Sequence, residues 1–455
     1  MNSVSTFTMV FALIVMLIAF VGTIVRIKKN KGSDLVDWFI LSIGAYNGIG
    51  IVLIILELQK SQYRRGFSSI ISNNSDIWMY PILCLLAIFF VWCGAVLSRK
   101  NEIEKLRKNS EENELYKKTY SKTVFRIAWM FSIVGMLCYW LYVRPYGGFV
   151  TYLDYARAIR AGLFDEVNVD RTWSFLKRFG GFSYFATLLF AGLILTYRSI
   201  IRTPFFLWVS FFISFSFSLY VLYTWGGRLG MLVFLTSLIV GRYLFKYGNG
   251  FKFLFSMIIP LMLILIILPS SSKIWGIKKG GIDSSQVAKF FVHEISYPLS
   301  VFVKANEANE PRWMQDILFA PAYIFPERIW RGVLKMDTVS QISTERVVGV
   351  RKGVRRSTKG VPVDFISFGI MEGGIIGVVL ISLFYGFFLT KIEKWMFVYC
   401  RSGVREILYG YLIFTLPIQT VLYSDPKHII VRNFHFIVGF FVLRYCERKA
   451  IKRRK

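Results

Sequence analysis

Apolar residues run through this chain in long blocks separated by short polar stretches. The blocks reach about 17 to 25 residues, the length a helix needs to cross a hydrocarbon layer about 30 Å thick. In lipid only a hydrogen-bond-closed helix leaves no backbone group unsatisfied, so each block reads as a helix. The pattern predicts membrane-spanning helices over residues 4–25, 37–57, 77–98, 123–143, 180–197, 205–223, 230–246, 251–269, 365–390, 405–422 and 429–445. The run 205–246 is too long for one span, and the turn Thr224–Gly230 divides it. The expected fold is therefore an all-α polytopic membrane protein of about eleven spans, with no internal repeat.

The polar stretches carry the orientation. Arg26, Lys28, Lys29 and Lys31 form one basic group, and residues 99–122 form a second, with Arg99, Lys100, Lys105, Arg107 and Lys108. Arg198 and Arg202, Lys246 and Lys252, Lys391 and Lys394, and the tail from Arg448 to Lys455 continue the series. These groups alternate along the chain, and short cytoplasmic loops are the ones enriched in Lys and Arg. They are assigned to the cytoplasm, which puts the N-terminus outside and the C-terminus inside. The external segments are then 58–76, 144–179, 224–230, 269–364 and a short link near Ser424–His428.

Composition agrees. Of the 455 residues, 55% are hydrophobic and 17% aromatic, more apolar surface than a soluble domain can hide. The net charge of +29 would suggest nucleic acid in a soluble chain. Here basic loops account for part of it, so membrane lipid is the expected partner and nucleic acid is not. No cysteine falls in a predicted external loop, and no disulfide framework or Cys-based metal site is expected.

The loop 269–364 departs from the charge rule, which long loops obey only weakly. Its basic residues outnumber its acidic ones, and the excess is concentrated from Arg346 through Arg351, Lys352, Arg355 and Arg356 to Lys359, with no acid before Asp364. Arg351 and Arg355 are four apart and share one face of a helix. Such a cluster suits a diphosphate or an anionic lipid surface. Within the same loop, residues 284–304 show apolar positions at helical spacing and are expected to lie at the membrane interface.

Other residues carry possible chemistry. Arg228 stands in Thr224-Trp-Gly-Gly-Arg-Leu-Gly230, where glycines allow close backbone approach and the guanidinium offers bidentate donors to phosphate. The same pattern also suits a tight turn with a snorkelling arginine. Asp364 and Glu372 flank the start of a glycine-rich span in which Gly369, Gly373 and Gly377 form a small-residue stripe, a pattern usual for helix packing. An ionisable residue such as Glu372 inside a span is a functional candidate by default. His293 lies in the large loop, His428 lies close to Arg432 at the outer end of the last span, and His435 lies within that span; any of the three can act as a base near neutral pH, and a lone histidine is more often structural. External aromatics, among them Tyr146, Tyr152, Tyr155, Trp173, Trp313 and Trp330, can stack on sugars or anchor loops at the interface. No spacing matches a metal site, a Walker loop or a dinucleotide fingerprint.

Two of these pieces, TWGGRLGMLVFL and VPVDFISFGIMEGGIIGVVLISLFYGF, together with the long loop between them, resemble the Wzy-type repeat-unit polymerases of bacterial surface polysaccharides. The resemblance implies a GT-C-like, polymerase-ligase architecture and a metal-independent inverting glycosyltransferase without a cofactor, in the plasma membrane. Its partners would be undecaprenyl- or related polyprenyl-diphosphate-linked oligosaccharides as donor and acceptor, and a chain-length regulator. In that setting Arg228, Arg351, Arg355 and Arg432 would hold the diphosphate, and Asp364, Glu372 or His293 would serve the acceptor hydroxyl. The neighbouring O-antigen ligases keep a histidine in the large loop, a role His293 fits only loosely. A flippase or transporter of the same lipid-linked sugar is the non-enzymatic alternative.

Overall fold

The computed structural model describes residues 3–30, 32–58, 70–71, 75–99, 114–161, 173–198, 204–225, 228–247, 284–326, 328–350 and 360–452. Helices make up the architecture, and no strand occurs among the described residues. Eight helices are long and apolar enough to cross a membrane: Ser5–Lys29, Leu35–Leu56, Asp76–Ser98, Thr119–Tyr146, Ser174–Tyr197, Phe205–Thr224, Phe365–Tyr399 and Pro426–Cys446. Each matches one expected span. Residues 230–246 and 405–422 are also helical, within Arg228–Tyr247 and within Val404–Ile413 and its continuation through Leu422. Residues 251–269 lie outside the described residues.

Contacts between distant parts of the chain define two ends of the bundle. At one end Leu35 N donates to Glu393 Oε2 at 3.3 Å, and Lys394 Nζ donates to the Ser98 carbonyl. Tyr409 donates to Ser33 O at 3.1 Å, and Thr196 to Ser402 O at 2.9 Å. Arg26 pairs there with Asp34 and Asp37. These are the loops that the charge pattern groups together. At the other end Tyr80 donates to Asp364 Oδ2 at 2.8 Å and Ser424 N to Val363 O at 2.7 Å. Ser340 N donates to Asp425 Oδ2 there at 3.3 Å. Arg178 Nη1 reaches the carbonyls of Tyr323 and Ile324, each at 2.9 Å, and that of Phe325 at 3.3 Å, fastening the large loop to the Ser174–Gly181 turn.

The large loop is part of the core. Its first helix, Ser284–Ala308, packs against Gly50–Leu58, Val339–Val348 and Phe365–Tyr399. Leu299, Ser300, Val301, Phe302 and Val303 are buried. Periodicity alone placed this helix at the interface. The later part of the helix, around residues 299–303, meets protein, whereas the side chains of Val287, Phe290, Phe291 and Ile295, on which that reading rests, lie outside the described residues.

The Phe365–Tyr399 helix is not continuous. Gly373 and Gly374 leave helical geometry, Gly374 with φ 63° and ψ −146°. A Cβ on Gly377 would overlap the Gly369 carbonyl oxygen. Residues eight apart on a straight helix are separated by about 12 Å along its axis, so this contact requires the chain to fold back between them. The neighbouring Met79–Arg99 helix supports the same conclusion. It meets the broken helix at Tyr80–Asp364 and again at Val91–Gly386, so a short stretch on one side faces a stretch twice as long on the other. The glycines at 369, 373 and 377 therefore surround a bend and do not line one packing face. Close helix packing comes from Gly94 and Gly386 instead, where any Cβ would overlap the carbonyls of Leu383 and Val91.

Candidate functional site

Two polar neighbourhoods occupy the loop end of the bundle. The first surrounds Arg432 on the Pro426–Lys452 helix. Its Nη1 lies 3.4 Å from His428 Nε2, one helical turn back, and Gln419 Nε2 lies 2.7 Å from the same nitrogen. The Tyr423 ring stacks on His428 with centroids 5.5 Å apart. One turn further on, His435 is buried between Tyr411 and Tyr184, with Tyr411 Oη 3.2 Å from Nε2. A Cβ on Gly230 would lie 3.3 Å from Arg432 Nη2, so the first turn of the Arg228–Tyr247 helix faces the guanidinium. A helix start presents unpaired N–H groups and a partial positive charge. Among the described residues no carboxylate lies within ion-pair distance of Arg432. A guanidinium and a helix amino end that meet without an ion-paired carboxylate among the described residues make a site for an anion, with geometry suited to phosphate.

The second neighbourhood is the helix break. The chain from Arg312 to Met314 docks onto it, with Arg312 N donating to Met371 O at 2.8 Å and Met314 N to Glu372 O at 3.0 Å. These bonds satisfy carbonyls that the break would otherwise orphan. Glu372 is fully buried. Its Oε2 accepts from Asp316 N at 3.3 Å, and its Oε1 has no hydrogen-bond partner and lies 3.9 Å from Arg312 Nε. Arg312 Nε pairs with buried Asp316 at 2.5 Å, and Tyr323 donates to the other Asp316 oxygen at 3.2 Å. Burial, followed by the charge of Asp316, pushes the Tyr323 phenol well above its ordinary value.

A continuous path joins the two neighbourhoods. Lys427 Nζ sits 4.4 Å from the Trp330 ring centroid, Trp330 packs edge-on to Tyr323 at 5.2 Å, and Tyr323 holds Asp316.

Asp364 is the other acidic candidate. It caps the broken helix, accepting from Ile366 N at 3.1 Å and Ser367 N at 3.2 Å beside the Tyr80 hydroxyl. Burial lifts its carboxyl to about 6, and the bonds from Ser367 and Tyr80 hold the rise down. Its Oδ1 is buried without a partner.

The structure brings Arg432 together with the turn that carries Arg228, and it brings Glu372 into a network that the sequence did not suggest. Arg351 and Arg355 lie outside the described residues, as do the side chains of Arg228 and His293. Tyr146, Tyr152 and Trp330 are buried, so their rings serve packing, whereas Trp173 and Trp313 are exposed. Arg178, Arg312, Asp316, Tyr323 and Lys427 escaped sequence reasoning. Only the Arg312–Asp316 spacing of four residues offered a signal, and it is common on any helix. The chain matches no protein family, no curated protein and no solved structure in comparisons with known proteins.

Proposed function

We propose that this protein polymerises polyprenyl-diphosphate-linked oligosaccharide repeat units into a surface polysaccharide. It would do so in the plasma membrane of a bacterium, through about eleven spans in a GT-C-like arrangement, with its N-terminus outside and its C-terminus cytoplasmic. The observation that carries this reading is Arg432, a guanidinium facing a helix amino end with no carboxylate partner among the described residues. In the transfer, an acceptor hydroxyl oxygen attacks the anomeric carbon of the donor glycan. The bond from that carbon to the carrier's diphosphate breaks with inversion, and the diphosphate leaves with the bonding electrons. Donors fixed in advance around that developing charge lower the barrier without any metal. The hydroxyl proton passes to a base, for which Glu372, Asp364 and His293 remain the candidates. Arg228, Arg351 and Arg355 add positive charge at the same end in this reading, and a chain-length regulator would set product size.

The decisive assay is extension of purified lipid-linked repeat units, read as a ladder on a gel. Arg432→Ala lowers the extension rate roughly 100- to 1,000-fold, the usual loss for one such donor, and Arg432→Lys recovers part of it. A full ladder from Arg432→Ala overturns the reading.

The helix break favours a second reading, because transporters place substrate sites at discontinuous helices. A carrier moves single repeat units across vesicles and yields no ladder, so the same assay separates the two.

A further inference from the structure

The residues that dock on the helix break have features that the diphosphate site does not use. Trp313 and Met314 both adopt left-handed backbone geometry, with φ 52° and 61°. Such angles are strained for large side chains and persist only where surrounding contacts enforce them. Here the two backbone bonds to Met371 O and Glu372 O enforce them. The result is a fixed backbone beneath the Trp313 ring, which is 74% exposed. The preceding residue, Arg312, has its guanidinium anchored through Nε by Asp316, while its two Nη groups have no partner among the described residues. Glu372 Oε1 is buried and unpartnered within the same cluster. A Cβ on Gly374 would meet nothing within 4 Å, so there is open space at the bend.

We propose that this bend carries a binding subsite for a neutral pyranose, with Trp313 as the stacking platform and Arg312 as the fork that grips adjacent hydroxyls. The sugar's C–H face can cover an exposed aromatic ring, and a backbone already fixed beneath the ring lowers the ordering cost. The planar guanidinium places two parallel N–H groups at the spacing of neighbouring oxygens. Charge decides the class of ligand. Arg312 already faces two carboxylates, Asp316 and Glu372. An acidic sugar or a phosphate would meet no net positive charge there, in contrast to the uncompensated Arg432. This deepens the polymerase reading, on which its biological purpose rests, by giving the growing glycan a place to sit beside the reacting end.

Saturation-transfer NMR on the whole protein in lipid nanodiscs tests it. The probes are methyl glycosides of glucose, galactose and N-acetylglucosamine, with methyl glucuronide as the acidic probe and inorganic phosphate added as a competitor. The neutral glycosides receive saturation, and Trp313→Ala weakens their binding roughly tenfold, the loss of one stacking contact. Trp313→Phe keeps part of it, and the melting temperature of both variants matches the parent because the ring is exposed. Three results overturn the proposal: no saturation of any neutral glycoside, stronger saturation of the glucuronide or displacement of the glycosides by phosphate, or an unchanged signal in Trp313→Ala. The last of these with a lowered melting temperature marks Trp313 as a lipid anchor. Binding is read without glycosyl transfer, so a failed extension assay leaves this result standing.

Discussion

Gly374 holds the bend by a conformation that residues with a side chain rarely reach. Its φ of 63° with ψ of −146° lies in a region essentially reserved for glycine, and the space around it is open. Gly374→Ala therefore costs conformational strain alone, about 1–3 kcal/mol, read as a lower melting temperature in detergent. An unchanged melting temperature would show that the bend survives without glycine. Nothing in the local sequence separates this residue from a packing glycine, since Gly373 and Gly374 look alike in an apolar run. Length did not reveal it either, because the apolar run 365–390 reads as a single span, whereas the folded helix continues for 35 residues, about 52 Å if straight, which exceeds any bilayer core. Glu372 was legible as a costly buried charge, but its partners were not, because Arg312 and Asp316 come from a loop whose path only tertiary contacts fix.

The tightest pairing between elements is that of Met79–Arg99 with the second half of the broken helix. It depends on two backbones approaching without side chains between them at Gly94 and Gly386. Gly94→Ala forces the Leu383 carbonyl away and costs about 1–3 kcal/mol or more. Gly22→Ala, on the Ser5–Lys29 helix with nothing within 4 Å, is neutral or slightly stabilising. Equal melting temperatures for the two variants would refute that account of the packing. The elements themselves were the most legible part of the chain, because hydropathy over a membrane's thickness is set by composition. The placement of Ser284–Ala308 was not legible. An apolar stretch such as residues 299–303 looks the same whether it will meet lipid or protein, and only the contacts of its helix with three others decide.

The stability of the whole molecule carries a pH dependence through Asp364. Its carboxyl rises from 3.8 to about 6 on folding, so between those values the folded protein holds a proton that the unfolded chain has lost. That contribution is fully present below about pH 4 and disappears as the pH rises through 6. Asp364→Asn keeps a cap at the helix start and removes the dependence, flattening the melting temperature between pH 4 and 7. A profile as steep as the parent's would assign the effect to another group.

The fold-back at Gly373–Gly374 also bears on how inside and outside alternate along the chain. Residues 375–399 rise about 38 Å as a helix, enough to cross the bilayer without help from what precedes them. The half-helix before the bend therefore contributes no crossing. It enters the bundle and returns toward the side it came from, so the parity of crossings is the same as if those eight residues belonged to the loop.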